Sequence, residues 1–244
     1  MTRTTARIGT RRRRSADSGR PMRHHPRGAA LVASFVALCI PAALAGPAQG
    51  AGGASVAASS PTAVAAQGCI FATRPLYSRR YLNRRLSRRG ASNVYRRQNG
   101  YAEASAVCLI NRERAANGAG PVARQDQLMS AAADITLQAI TDRWWGPGID
   151  PHVNPNRPGS GIGDRVARAG YCPNPTSWAF GEIATYQATP AEAVAWWMGS
   201  PGHRALLLNP AFRDVGISVR FGNPSQSGPT ERIGTFVATL GFCN

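Results

Sequence analysis

The chain reads as an α+β fold, with helices early, strands late and one helical stretch between them. Three observations lead there. Apolar residues recur at helical spacing over residues 102–117, 125–142 and a stretch opening at Thr189. Val215, Ile217, Val219 and Phe221 alternate with Gly216, Ser218 and Arg220, and a second apolar run covers residues 233–240, so the end reads as a long hairpin. The 244 residues allow one or two domains around a core of ordinary size.

In order, residues 1–45 read as a secretory signal. A basic leader precedes an apolar run from Ala29 to Leu44, and Ala43-Leu44-Ala45 supplies a small-residue cleavage site after Ala45. An uncleaved anchor is the alternative. The arginines at 11–14 lie too far from the apolar run for a twin-arginine signal, and Cys39 follows Leu38 where a lipoprotein signal needs a small residue. The expected location is secreted or extracellular, with envelope association. Residues 46–68 are an Ala/Gly/Ser/Pro linker with little to bury. Residues 69–100 form an Arg-rich arm in which Leu76, Tyr77, Tyr81, Leu82 and Leu86 punctuate paired arginines, the pattern of a short amphipathic helix.

The domain is expected over residues 101–244. Its first helix stops at Asn117-Gly118, and the second carries Leu128, Ala131, Ala132, Ile135 and Ala139 on one side. Residues 146–163, rich in Gly, Pro and Asn, read as a loop, and 164–169 as a helical turn ending at Gly170. A short extended segment is expected around Trp178 to Ala184. Thr189, Pro190 and Glu192 are a helix start with a capping box, and Ser200-Pro201 restarts a second short helix with Ser200 as its cap. His203 falls in that helix's first turn.

Charge narrows the partners. The formal net charge is +17, and all 29 basic residues are arginine. Residues 69–100 hold nine arginines and no acid, whereas residues 101–244 hold eleven of each and are neutral. A nucleic-acid reading would rest wholly on the flanking segments, and no interleaved aromatic motif supports it. Arg79, Arg80, Arg84, Arg85, Arg88 and Arg89 would instead grip an anionic cell-wall polymer or membrane surface. The plainer alternative is a solvated arm covering one side of the domain.

Without the leader, four cysteines remain: Cys69, Cys108, Cys172 and Cys243. An even count in an exported chain suggests two disulfides. Of three pairings, Cys69–Cys108 with Cys172–Cys243 is preferred: one would staple the arm to the first helix, the other the chain's end to the loop after Tyr171. Two histidines also remain, His152 and His203. Glu182 sits in an apolar stretch, where a carboxylate needs a partner. Two histidines and a glutamate could hold zinc or share protons. GxSxG, P-loop and GxGxxG motifs are absent, and no catalytic residue is assigned.

The blocks "CLINRERAANGAGPV", "DQLMSAAADI", "PHVNP…DRVARAGY", "FGEIA", "AVAWWMGSPGHRALLLNPAFRDVGISV" and "GTFVATLGF", in that order over residues 104–242, resemble the bacterial branch of the CAP superfamily. These SCP-like extracellular domains are named for cysteine-rich secretory proteins, antigen 5 and pathogenesis-related 1. The resemblance implies a three-layer α-β-α sandwich with an antiparallel sheet, and a cleft in which His152, Glu182 and His203 match the family's positions. Ile183 replaces the Asn that follows the family's Glu, and Ile135 stands where many bacterial members carry a further His. The family is associated with lipid, glycan, metal and protein binding more than with catalysis. The function implied is a secreted binding module of the envelope whose cleft takes a small ligand or, through His152 and His203, zinc. The alternative is a metal-dependent hydrolase acting on peptide or cell-wall bonds.

Overall fold

The computed structural model describes residues 68–228 and 231–244. The expected signal and nearly all of the expected linker lie outside the described residues. The elements are α1 (Arg79–Arg85), α2 (Arg88–Ala116), β1 (Ala123–Arg124), α3 (Asp126–Asp142), α4 (Ile162–Arg168), β2 (Trp178–Gln187), α5 (Pro190–Gly199), α6 (Pro201–Leu207), β3 (Asp214–Phe221) and β4 (Gly234–Cys243).

Four strands form one sheet in the order β1-β3-β4-β2. β2 and β3 flank β4 antiparallel, with Glu182 opposite Thr239 and Gly216 opposite the same Thr239. The two-residue β1 pairs parallel with β3, so the expected antiparallel sheet carries one short parallel edge.

The sheet separates two helical layers, as side-chain alternation requires. Phe236 and Ala238 pack with Leu109 and Ile110 of α2 and Trp197 of α5. Val237, between them, packs with Ala132, Ile135 and Ala139 of α3. Ile183 and Ala184 divide the same way. The three-layer α-β-α sandwich is thus written in neighbouring residues of β2 and β4. At Gly216 the layers touch. A Cβ there would lie 2.0 Å from the backbone carbon of Leu128, so α3 can rest on β3 only where no side chain intervenes.

The first helix differs from the sequence expectation. It starts at Arg88, not residue 102, and runs 29 residues through the expected boundary at 100/101. Ser87 caps it by accepting from the Gly90 amide. Burial of Ala91, Ala102, Ala106, Leu109 and Ile110 carries one apolar stripe across that boundary. Leu76 and Leu82 are also buried, so the arm is packed on the domain. The cysteines pair Cys69–Cys108 and Cys172–Cys243, closing separations of 39 and 71 residues. In the chain-entropy account each contributes about 4 kcal/mol.

Arg114, fully buried in α2, ties that helix to the end of α6. Its Nε donates to the Gly120 carbonyl, Nη1 to those of Leu207 and Asn209, and Nη2 to that of Phe212. At α5, Thr189 accepts from the Glu192 amide, and the Glu192 carboxylate accepts from the Ala188 amide. The reach-back of the capping box therefore lands one residue before the cap. Ser200 occupies the cap position of α6, but its hydroxyl makes no capping bond, contrary to expectation.

Candidate functional site

Glu182 is placed by strand arithmetic. Ile183 enters the α2 side of the core, so Glu182, like Ala184, faces the α3 side. There α4 presents Arg165, which is 1 % exposed. The two meet as a fork: Nη1 donates to Oε2 at 2.9 Å and Nη2 to Oε1 at 2.8 Å. Thr239, the cross-strand neighbour, donates its hydroxyl to Oε2 at 2.8 Å. Arg165 is itself anchored, with Nε on the Ser160 carbonyl and Nη1 also on that of Ala131.

His152 completes the cluster from the loop between α3 and α4. Its backbone amide donates to the Asp150 carboxylate at 2.8 Å, and Nδ1 stands 2.9 Å from Glu182 Oε1. The loop is pinned by Asn154, which donates to Gln138 and Asp142 on α3. Burial pushes the Glu182 carboxyl up. Hydrogen bonds from His152 and Arg165, with the guanidinium charge, more than reverse this and hold it below the usual glutamate value. Glu182 is therefore an ionised acceptor, Nδ1 of His152 carries the donated proton, and Nε2 is the ring nitrogen left for other partners.

His203 lies outside this hydrogen-bonded group. Its ring rests against Trp196 with centroids 5.0 Å apart. Its Nδ1 is buried without a hydrogen-bond partner among the described residues. Burial, then the charge of His152, hold this imidazole below the usual histidine value. His152 thus couples to Glu182 by contact and to His203 through the electrostatic field.

Among the described residues no group of three or more His, Cys, Asp or Glu side chains could hold a metal ion. Arg165 donates to both carboxylate oxygens of Glu182, so that carboxylate is already paired with a cation. His152 and His203 alone fall short of the three or four protein ligands zinc takes.

Beside the cluster lies a cleft of about 380 Å³. Trp145, Ile149, Tyr186 and Trp196 supply its apolar wall, with Thr185 and Ser225 adding hydroxyls. Pro151, the residue before His152, and Trp196, whose ring rests against His203, are among its lining residues, whereas neither imidazole is. Trp196, on the wall of the cleft, is 46 % exposed.

Sequence reasoning missed Arg165, Thr239, Trp145 and Tyr186. A buried carboxylate announces that it needs a cation, but eleven arginines in the domain could have answered. Thr239 becomes visible only once β2 is paired with β4. The six arm arginines fall on α1 (Arg79, Arg80, Arg84, Arg85) and at the start of α2 (Arg88, Arg89). Arg85 lies over the Tyr81 ring, and Arg84 stands 3.9 Å from Glu231.

The model of the cysteine-rich secretory protein family, CAP, matches residues 107–239. Among solved structures, an extracellular protein containing an SCP domain from Bacillus anthracis is similar with a TM-score of 0.49 and 18% identity, over 61% of this chain and 42% of that one. An outer surface protein from Borrelia burgdorferi gives 0.44 and 17%, over 57% and 90%. A cysteine-rich secretory protein from Staphylococcus aureus gives 0.39 and 16%, over 59% and 38%. The chain thus spans less than half the length of the Bacillus and Staphylococcus proteins. No curated protein sequence matches it.

Proposed function

Because the chain belongs to the cysteine-rich secretory protein (CAP) family, we propose that it works outside the cell as a binding module of the bacterial envelope, taking a small ligand in the cleft beside His152, Glu182 and His203. The observation that carries this reading is the commitment of Glu182. A general acid or base needs a carboxyl free to meet substrate and tuned near working pH. Glu182 is held ionised by Arg165, Thr239 and His152, which makes it the support that orients His152. The groups left to a ligand are the two imidazoles and the aromatic wall of Trp145, Tyr186 and Trp196. Flat rings with nearby hydroxyls suit a sugar face, and a cell-wall fragment is the ligand of choice. The arm arginines would hold the protein against the anionic envelope.

The test is titration with soluble muropeptides, followed by tryptophan fluorescence. Saturable quenching is expected, with affinity at least about tenfold weaker in His152→Ala. The muropeptides should be recovered uncleaved. Cleavage that disappears in Glu182→Gln would install the hydrolase reading instead. Fluorescence unmoved by any muropeptide would remove the cleft from consideration as a glycan site.

A further inference from the structure

The arm contains more than charge. A cavity of about 530 Å³ lies between the segment 71–77 and the first half of α2, lined by Phe71, Leu76, Tyr77, Val94 and Tyr101. Next to it runs a groove of about 480 Å³ bearing Arg79, Arg89 and Arg96. Asn93 lines both, so the two spaces adjoin. Arg74 and Arg97 also border the apolar cavity. Each volume is in the range of small-molecule sites.

We propose that this region binds one anionic phospholipid, its acyl chain in the apolar cavity and its phosphate on the groove arginines. The inference deepens the envelope-binding reading and rests on it for the arm being a binding surface. It chooses the lipid over a cell-wall polymer because a polymer of phosphates would use the groove and leave the cavity unfilled. The guanidinium fork suits a phosphate diester. Competition from carboxylates is slight: among the described residues the arm's one ion pair is Arg84 with Glu231, long and exposed. The surrounding surface is apolar for a soluble helix pair. Ile70 is 77 % exposed, Leu86 and Tyr101 43 % each, and Val94 40 %. Such residues beside a cationic groove match a molecule that is itself anionic at one end and apolar at the other. The site lies before residue 107, outside the family match, and owes nothing to the central cleft.

The experiment uses the full chain with both disulfides intact. The probes are dihexanoyl phosphatidylglycerol below its micelle concentration, dihexanoyl phosphatidylcholine, glycerol phosphate, and phosphatidylglycerol vesicles. Monomeric phosphatidylglycerol should bind at least about tenfold more tightly than the neutral lipid or glycerol phosphate, a difference of roughly 1.4 kcal/mol. Val94→Gln, an exposed helix substitution compatible with folding, should abolish that advantage and leave glycerol phosphate binding unchanged. Arg89→Gln combined with Arg96→Gln should weaken both. Retention on vesicles with no monomer binding, and no effect of Val94→Gln, would overturn the lipid site while leaving the envelope-binding arm standing. Failure to bind either vesicles or monomer would overturn both.

Discussion

Arginine occupies two opposite environments in this chain. Arg114 and Arg165 are at most 1 % exposed, and their N–H groups end on named carbonyls or on Glu182. Those of the arm lie mostly on the surface, in a 32-residue stretch with no acid. The difference lies in what replaces water. A buried guanidinium is tolerable only if every donor is met, so it becomes a structural node joining elements far apart in sequence. An exposed one keeps its water until something better arrives, which leaves it available to an anion from outside. The neutral domain and the cationic arm therefore differ in how their arginines meet water as well as in charge.

The sharpest way to break this division is at the buried pair. Arg165→Gln should cost about 3–5 kcal/mol, because Glu182 is left buried and ionised without its cation. Denaturant unfolding measures it. Replacing both partners, Arg165→Met with Glu182→Leu, should restore most of the loss, since the pair's net worth is far below the penalty of breaking it. A loss under about 1 kcal/mol for the single variant would mean that the pair is not a node.

Acid separates the regions more gently. His203 is depressed below its ordinary 6.5, so above that value it is neutral in both folded and unfolded chains and contributes nothing. As pH falls below it, the unfolded chain takes the proton first and stability drops, levelling off once the folded form also protonates. Glu182, lowered from 4.5, stabilises above that value and loses its contribution as pH falls through its folded value. Thermal melts at pH 7, 5.5 and 4 should fall in two stages, and His203→Gln should flatten the first only. An unchanged first stage in that variant would remove His203 from the account. Residues 69–100 contain no acid and no histidine, so retention on anionic vesicles should be flat from pH 8 to 5.

The smallest effect is expected in the arm itself. Arg80→Gln or Arg88→Gln should move stability by no more than about 0.5 kcal/mol, checked by the same denaturant titration. A loss above about 1 kcal/mol would place the arm's charges within the fold's framework.

The fold was legible because its signals are local. The alternation from Val215 to Phe221, the Thr189-Pro190-Glu192 helix start and the Asn117-Gly118 stop each act within a few residues, and the structure keeps them. The site was half legible. His152 and Glu182 do meet, but the residue that governs them, Arg165, comes from a separate helix and has no distinguishing neighbours. Which arginine enters a core depends on packing in three dimensions, and composition carries no trace of it. The helix that runs across the boundary expected at Tyr101 was hidden for a related reason. A run of arginines looks like a break in a domain, yet the stripe from Ala91 to Ala102 continues the helix beneath it.

The Cys69–Cys108 bond encloses nine arginines between its two ends. A trypsin-like protease meeting the exposed arm would find many places to cut. After any single cut, however, the pieces on either side stay covalently joined through the bridge. Separating the two ends of a chain cut between Cys69 and Cys108 would take a thiol reductant as well as a protease. The arm can be nicked once and still remain attached.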